Sequence, residues 1–124
     1  MSEPLRGVVV CHGDLAHALV ASVESISGVR EALVPISNTD CDRGQLEERI
    51  LAAVGDQPAL VFVDMPSGSC LFAAAKRLKS LPTARMITGV NLAMLLDFVF
   101  HRELSPADGA RRAIETGTRA IALR

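Results

Sequence analysis

Short runs of branched apolar residues recur along this chain, each separated from the next by an amphipathic stretch, and few folds accommodate that alternation. Residues 7–11 (GVVVC), 32–36 (ALVPI) and 59–63 (ALVFV) are near-continuous apolar runs, the kind found in strands buried on both faces. The segments between them repeat apolar residues at helical spacing. Strands alternating with helices form a parallel sheet joined by right-handed crossovers. The expected fold is therefore α/β: an open, doubly wound, mainly parallel sheet with helices on both faces.

The local signals set the expected boundaries. Leu15, Leu19, Val23 and Ile26 recur at helical spacing and predict one buried face of a first helix, with Asp14 as its N-cap and Gly28 as its C-terminal cap. Pro35 cannot donate to a ladder, so the second strand is expected at an edge or near its end. Leu46, Ile50, Leu51 and Val54 predict a second helix ending at Gly55. Ser69 is expected to cap a third helix that runs to about Ser80 before Pro82. A fourth strand is expected over 86–90 and a helix over 91–102, with Leu92, Leu95, Leu96 and Val99 on one side. Ser105, Pro106 and Asp108 open a last helix that ends near Gly117. Residues 119–123 (RAIAL) read as a short fifth strand, its direction left open.

At 124 residues the chain is expected to form a single domain, 1–124, with enough length for a real core. The 13 basic residues against 14 acidic ones give a net charge of −1, which argues against a phosphate-backbone partner. With no Trp or Tyr and 4 Phe, stacking platforms for single strands are missing too. No apolar run approaches the roughly 20 residues of a membrane span, and MSEPLRGVVV turns into a strand too quickly for a signal peptide. Cys11, Cys41 and Cys70 fit no zinc spacing and read as reduced cytoplasmic thiols, so no metal is expected. After the first strand, CHGDLA holds one glycine, which lacks the dinucleotide fingerprint; no cofactor is expected.

In doubly wound sheets, ligands bind beyond the carboxyl ends of the strands, where the strand order reverses. His12 closes the first strand and Asp64 closes the third. If those strands are neighbours, their ends lie roughly 5 Å apart, and the carboxylate can hold one imidazole nitrogen while leaving the other free. Ser67, Gly68 and Ser69 then offer hydroxyls, backbone N–H groups and a helix N-terminus, features that bind phosphate. Together these residues supply a nucleophile, an orienting carboxylate and an oxyanion cradle. His17, on the first helix, reads as solvated. His101 reads as a helix-end residue facing the dipole or solvent. Asn91 serves either as the cap of its helix or as support for the site loop. Leu15, Met65 and Leu71 flank the site, either as core or as part of a transient protein interface.

Three blocks carry a resemblance. VVVCHGDLAHALVASVE, VFVDMPSGSCLFAAAKR and TGVNLAMLLDF, followed by ETGTRAIAL, resemble in order the signatures of the mannose-family IIA domains of the phosphoenolpyruvate-dependent sugar phosphotransferase system. The resemblance spans almost the whole chain. It implies a cytoplasmic phosphohistidine carrier that takes a phosphoryl group from the phosphocarrier HPr on His12 and passes it to a IIB domain, here a separate chain, for sugar uptake. It assigns Asp64 to the His12 ring and Ser69 to the phosphoryl group. It also implies a homodimer that exchanges the C-terminal strand over 119–123. Ser67 stands where that family usually has the first of two glycines, Cys70 where it has proline and Phe72 where it has asparagine. Two alternatives share the fold: a regulatory module whose His12 phosphorylation controls a partner protein, and a small-ligand domain with no phosphorylation.

Overall fold

Each of the four strands is fixed by the pairing its apolar residues allow, and their order decides where the chain's polar strand ends meet. The computed structural model describes residues 3–124; the first two residues of the N-terminal segment expected to carry no leader lie outside the described residues. Strand β1 (Arg6–Cys11) leads to helix α1 (Leu15–Ser27), and β2 (Leu33–Ser37) to α2 (Arg43–Val54). Then come β3 (Ala59–Val63), α3 (Ser69–Leu78), β4 (Ala84–Thr88), α4 (Leu92–Phe98) and α5 (Pro106–Arg119). The sheet order is β2-β1-β3-β4 and every pairing is parallel. The order reverses between β1 and β3, which are direct neighbours with Val10 opposite Val63. Pro35 lies on β2, an edge strand, as its missing N–H demands.

The period-two alternation of β1 divides the core. Val9 and Cys11 pack with Phe62, Leu60 and the inner faces of α1, α4 and α5, while Val8 and Val10 pack with Val61, Val63, α2 and α3. Phe62 and Phe98 meet edge-on, with ring centroids 5.1 Å apart, worth roughly 0.5–1.5 kcal/mol beyond the area they bury. On the other face, Glu47 is buried at 3% exposure and is held by Lys76 Nζ at 3.5 Å and Arg77 Nε at 3.2 Å. Arg77 Nε lies off the line of a hydrogen bond, so the pair acts by charge and ties α2 to α3.

Several boundaries depart from the sequence expectation. The buried face of α1 is Ala16, Val20 and Val23, leaving Leu15 45% and Ile26 63% exposed. The helix is rotated by about one residue because its small Ala16 sits against the sheet, which the larger Leu15 would not fit as closely. Asp14 does not cap α1: its backbone is near-helical (φ −92°, ψ 3°) and its side chain makes no capping bond, whereas a cap requires extended geometry. Gly28 does end the helix in the left-handed region, with its N–H donating to Glu24 O. Expected at 86–90, β4 is Ala84–Thr88, since its register follows β3 and Gly89 turns the chain at φ 78°. Helix α4 stops at Phe98, short of 102, because Arg102 is drawn to the start of β1: its carbonyl accepts from Leu5 N and its Nε donates to Leu5 O. Ser105 caps α5 through Asp108 N, with Pro106 in the first turn.

The expected fifth strand does not form within the chain. Helix α5 runs on through Arg119, and residues 121–124 make no ladder. Ile121 is 79% and Leu123 fully exposed. The outer edges of β2 and β4 are unpaired, but helix α5 continues past Gly117 to Arg119, so the RAIAL segment begins inside a helix and its last residues reach neither edge.

Helices α4 and α5 are held by Asp97. It accepts from Arg112 Nε at 2.8 Å and Nη2 at 3.0 Å, and from Thr116 Oγ1 at 3.3 Å. The Arg112 hydrogen bond outweighs burial and holds the carboxyl below its ordinary 3.8. A depressed carboxyl contributes stability that is present above the unfolded value and lost as pH falls through the folded one. Asp97→Asn is therefore expected to lower the denaturation midpoint near neutral pH, with the gap from wild type narrowing below about pH 4. Urea unfolding at several pH values checks this; a gap that stays constant with pH would remove the charge from the account.

Candidate functional site

His12 is the residue just past the end of β1, and Asp64 is the one just past β3, so the reversal of strand order places them side by side. Asp64 Oδ2 accepts two bonds from the same residue: the His12 backbone N–H at 2.9 Å, and Nδ1 at 2.8 Å. The backbone bond fixes the carboxylate against the end of β1, and the ring bond makes Nδ1 the protonated nitrogen of a neutral imidazole. The ring is 38% exposed, against 10% for the Asp64 side chain. The imidazole is thus open to solvent on one side and anchored on the other.

Nε2 faces the loop after β3. A Cβ placed on Gly68 would lie 3.2 Å from Nε2 and 3.3 Å from Cε1, and Gly68 has φ 92°. Only glycine serves both needs, a left-handed backbone and close approach to the ring. Gly68 also stands at the N-cap of α3 and offers no side-chain cap, so the first-turn N–H groups beside Nε2 remain available to an anion. Ser69, expected as the cap, is instead the first residue of α3, and its Oγ accepts from Asn38 Nδ2 at 3.3 Å. Ser67 is exposed on the loop.

Asn38 went unnoticed in the sequence beyond its place in a polar loop. It sits just after β2, on the other side of β1 from Asp64, and bridges two parts of the site: Oδ1 accepts from Gly13 N at 3.1 Å while Nδ2 reaches Ser69. Ser37 completes the frame by donating to Gly13 O at 2.7 Å. A polar residue at the end of the strand flanking the reversal was the available signal. Asn91 caps α4 through Met94 N and donates to Gly117 O, which settles it as a tie between α4 and α5. His17 is exposed on α1, and His101 Nδ1 lies 2.8 Å from Asp97 O at the end of α4.

Two buried thiols, Cys11 and Cys70, lie within the field of Asp64. Burial, then the field of Asp64, push Cys11 up to about 12 and Cys70 up to about 11, so both are protonated and inert as nucleophiles at neutral pH. Around the rim, Leu15, Met65 and Phe72 are exposed, with Arg43 over the Phe72 ring at 5.6 Å. Leu71, itself on α3, is partly buried against the core on that face of the sheet, the first of the two readings its sequence position allowed.

An imidazole hydrogen-bonded to a carboxylate at a strand-order reversal, against a glycine loop and a free helix N-terminus, sets a nucleophilic nitrogen beside anion-binding N–H groups on an α/β sheet. Residues 7–115 match the family of PTS (phosphotransferase system) fructose IIA components, EIIA-man, and the chain belongs to that family. It is a IIA-type component of the phosphotransferase system. Among solved structures, the mannose/sorbose-specific IIA subunit of the phosphotransferase system from Enterococcus faecalis superposes with a TM-score of 0.85 at 23% identity, over 98% of this chain and 96% of that one. The phosphotransferase system component EIIA from Streptococcus agalactiae gives 0.89 at 21% identity, over 96% of each chain. A sigma-54 interaction domain protein from Enterococcus faecalis has the same fold, with a TM-score of 0.75 at 13% identity over 97% of this chain and 95% of that one. No curated protein matches this chain in sequence. Among the described residues no helix is long and apolar enough to cross a membrane.

Proposed function

We propose that this chain is a cytoplasmic phosphohistidine carrier: His12 accepts a phosphoryl group from an HPr-like phosphocarrier and passes it to a IIB domain for sugar uptake. The observation that carries the reading is the 2.8 Å bond from Nδ1 to Asp64 Oδ2, because it leaves the Nε2 lone pair free. Nε2 attacks phosphorus as the phosphorus–nitrogen bond to the donor histidine breaks. The positive charge that develops on the ring is met by Asp64, and the phosphoryl oxygens by Ser69, the exposed Ser67 and the N–H groups that follow Gly68. Electrostatic support of moderate strength suits a relay. A carrier must release the group again, and a site that bound it too tightly would stall the transfer.

The test is incubation with phospho-HPr followed by intact mass. One acid-labile phosphate per chain is expected. No gain under conditions that charge a known IIA domain would sink the reading and favour a small-ligand module. Uptake of phosphate without onward transfer to any IIB domain would favour the regulatory module instead.

Gly68→Ala is expected to slow phosphate uptake by roughly tenfold or more. The added Cβ meets the ring on its nucleophilic side, and the backbone strain is on the order of 1–3 kcal/mol. A wild-type rate with an unchanged fold would show that the loop does not set the position of Nε2.

The chain is further proposed to work as a homodimer that exchanges its C-terminal segment. Ile121 and Leu123 are solvent-exposed apolar groups, and an exchanged partner would bury them. Sedimentation is expected to give a dimer at tens of micromolar, well above ordinary dimer constants. Truncation after Ala120, which spares α5, should weaken it; a monomeric wild type would refute the exchange.

A further inference from the structure

Asp64 has a second oxygen that the His12 contacts do not use. Oδ2 takes both bonds from His12, while Oδ1 is buried and has no hydrogen-bond partner among the described residues. The side chain that carries it is nine-tenths buried. A carboxylate oxygen withdrawn from water in this way awaits a donor or a cation. Near the Asp64 carboxylate stands Cys70, fully buried in the first turn of α3. A ring nitrogen of His12, a carboxylate oxygen of Asp64 and the Cys70 sulfur all lie within 4.8 Å of one another.

We propose that a thiophilic divalent cation, Zn2+ by its donor preferences, binds between His12 Nδ1, Asp64 and Cys70 Sγ, and that it shuts off His12 as a nucleophile. Imidazole nitrogen, thiolate sulfur and carboxylate oxygen form a mixed set that suits zinc and disfavours magnesium or calcium, which require oxygen ligands. Three protein ligands leave a fourth tetrahedral position for water. With metal–ligand bonds of about 2.0–2.3 Å, the edges of such a site are roughly 3.3–3.8 Å. The Nδ1–Oδ2 pair must open slightly from 2.8 Å, which turns the carboxylate and brings its unpartnered Oδ1 within reach of the ion, and the edges to sulfur must close from at most 4.8 Å. The required movement is on the order of 1 Å, and the half-open His12 ring is the group free to make it.

The consequence for the ring follows from its proton count. A neutral imidazole carries one N–H, which here sits on Nδ1 facing Asp64. A cation on Nδ1 displaces that proton to Nε2, by way of solvent, and the Cys70 thiol releases its proton as it becomes a thiolate. One proton leaves per ion bound. Nε2 then holds an N–H in place of a lone pair and cannot attack phosphorus. The metal therefore uses the bond that otherwise prepares the nucleophile, with the opposite outcome. Binding itself does not depend on the carrier role; the switch rests on the function proposed above.

Co2+ titration of the metal-free protein reads the site directly. One equivalent is expected to bring up a sulfur-to-cobalt charge-transfer band, and Zn2+ should displace it. Cys70→Ala should lose the band and weaken Zn2+ affinity, measured against a chromophoric chelator, by at least about tenfold; Cys70→Ser, closer in size to cysteine, guards against a packing defect. Cys41→Ser should keep both. Absence of the band in the wild type, or its persistence in both Cys70 variants, overturns the site whether or not His12 is phosphorylated. Zn2+ should also block phosphate uptake in the wild type but spare the Cys70→Ala variant. A zinc-loaded wild type that is phosphorylated at the metal-free rate overturns the switch.

Discussion

Replacing His12 by alanine is expected to abolish phosphate uptake from phospho-HPr, while His17→Ala and His101→Ala leave it at the wild-type level. The three histidines differ in placement rather than in chemistry. His12 alone stands at a strand end where the sheet order reverses, with one nitrogen committed to Asp64 and the other against the Gly68 loop. His17 is exposed on α1, and the His101 ring is spent on the Asp97 carbonyl at the end of α4. The His101 Nδ1 also lies 3.4 Å from Asp97 Oδ1, but at the C-terminal end of its helix, and neither ring stands beside a free helix N-terminus. The modification should be a single acid-labile phosphate, read by intact mass and located by peptide mapping. Phosphate retained by the His12→Ala chain would end the carrier reading.

Asp64→Asn is expected to leave the fold intact and slow phosphorylation by about ten- to a thousandfold, the range typical of orienting carboxylates. Oδ2 accepts from both the backbone N–H and Nδ1 of His12, and an amide can reproduce this in one orientation only. In that orientation its NH2 occupies the buried place of Oδ1, which has no hydrogen-bond partner among the described residues. In the other, the NH2 faces Nδ1, which must then act as acceptor, and the ring proton moves to Nε2 and blocks the nucleophile. Either way, the negative charge that supports the phosphorylated ring is gone. Single-turnover rates at saturating donor separate this from weakened docking, and circular dichroism checks the fold. A rate equal to wild type would reduce Asp64 to a strand-end anchor.

Much of this architecture was legible in the residues, and the parts that were not share a cause. The runs GVVVC, ALVPI and ALVFV lie in strands because continuous branched apolar sequence is stable only where both faces are covered. Pro35 marked an edge for the same local reason. Gly28, Gly55 and Pro106 end or begin helices through their own backbone chemistry, and Ser105 through its hydroxyl. Errors came where neighbours in space override local preference. Leu15 looked like core by spacing, yet Ala16 faces the sheet because close packing favours the smaller side chain there. The end of α4 is set by Arg102 reaching back to Leu5, a contact across the chain that no window of residues contains. The RAIAL tail is apolar enough for a strand, yet α5 runs on into it and the tail pairs with neither outer strand of its own sheet.

The candidate site divides along the same line. That His12 and Asp64 each close a buried strand, and that a Ser-Gly-Ser loop follows Asp64, is written in the order of residues, since strand ends and turns are local events. The strand order β2-β1-β3-β4 is a property of the packed sheet, and it alone brings His12 onto Asp64, swings Asn38 across to Gly13 and Ser69, and sets the Cys70 thiol near the Asp64 carboxylate. Sequence spacing showed three unrelated cysteines because ligand geometry depends on distances between segments far apart in the chain. Those distances are fixed only when apolar burial has chosen which strands lie side by side.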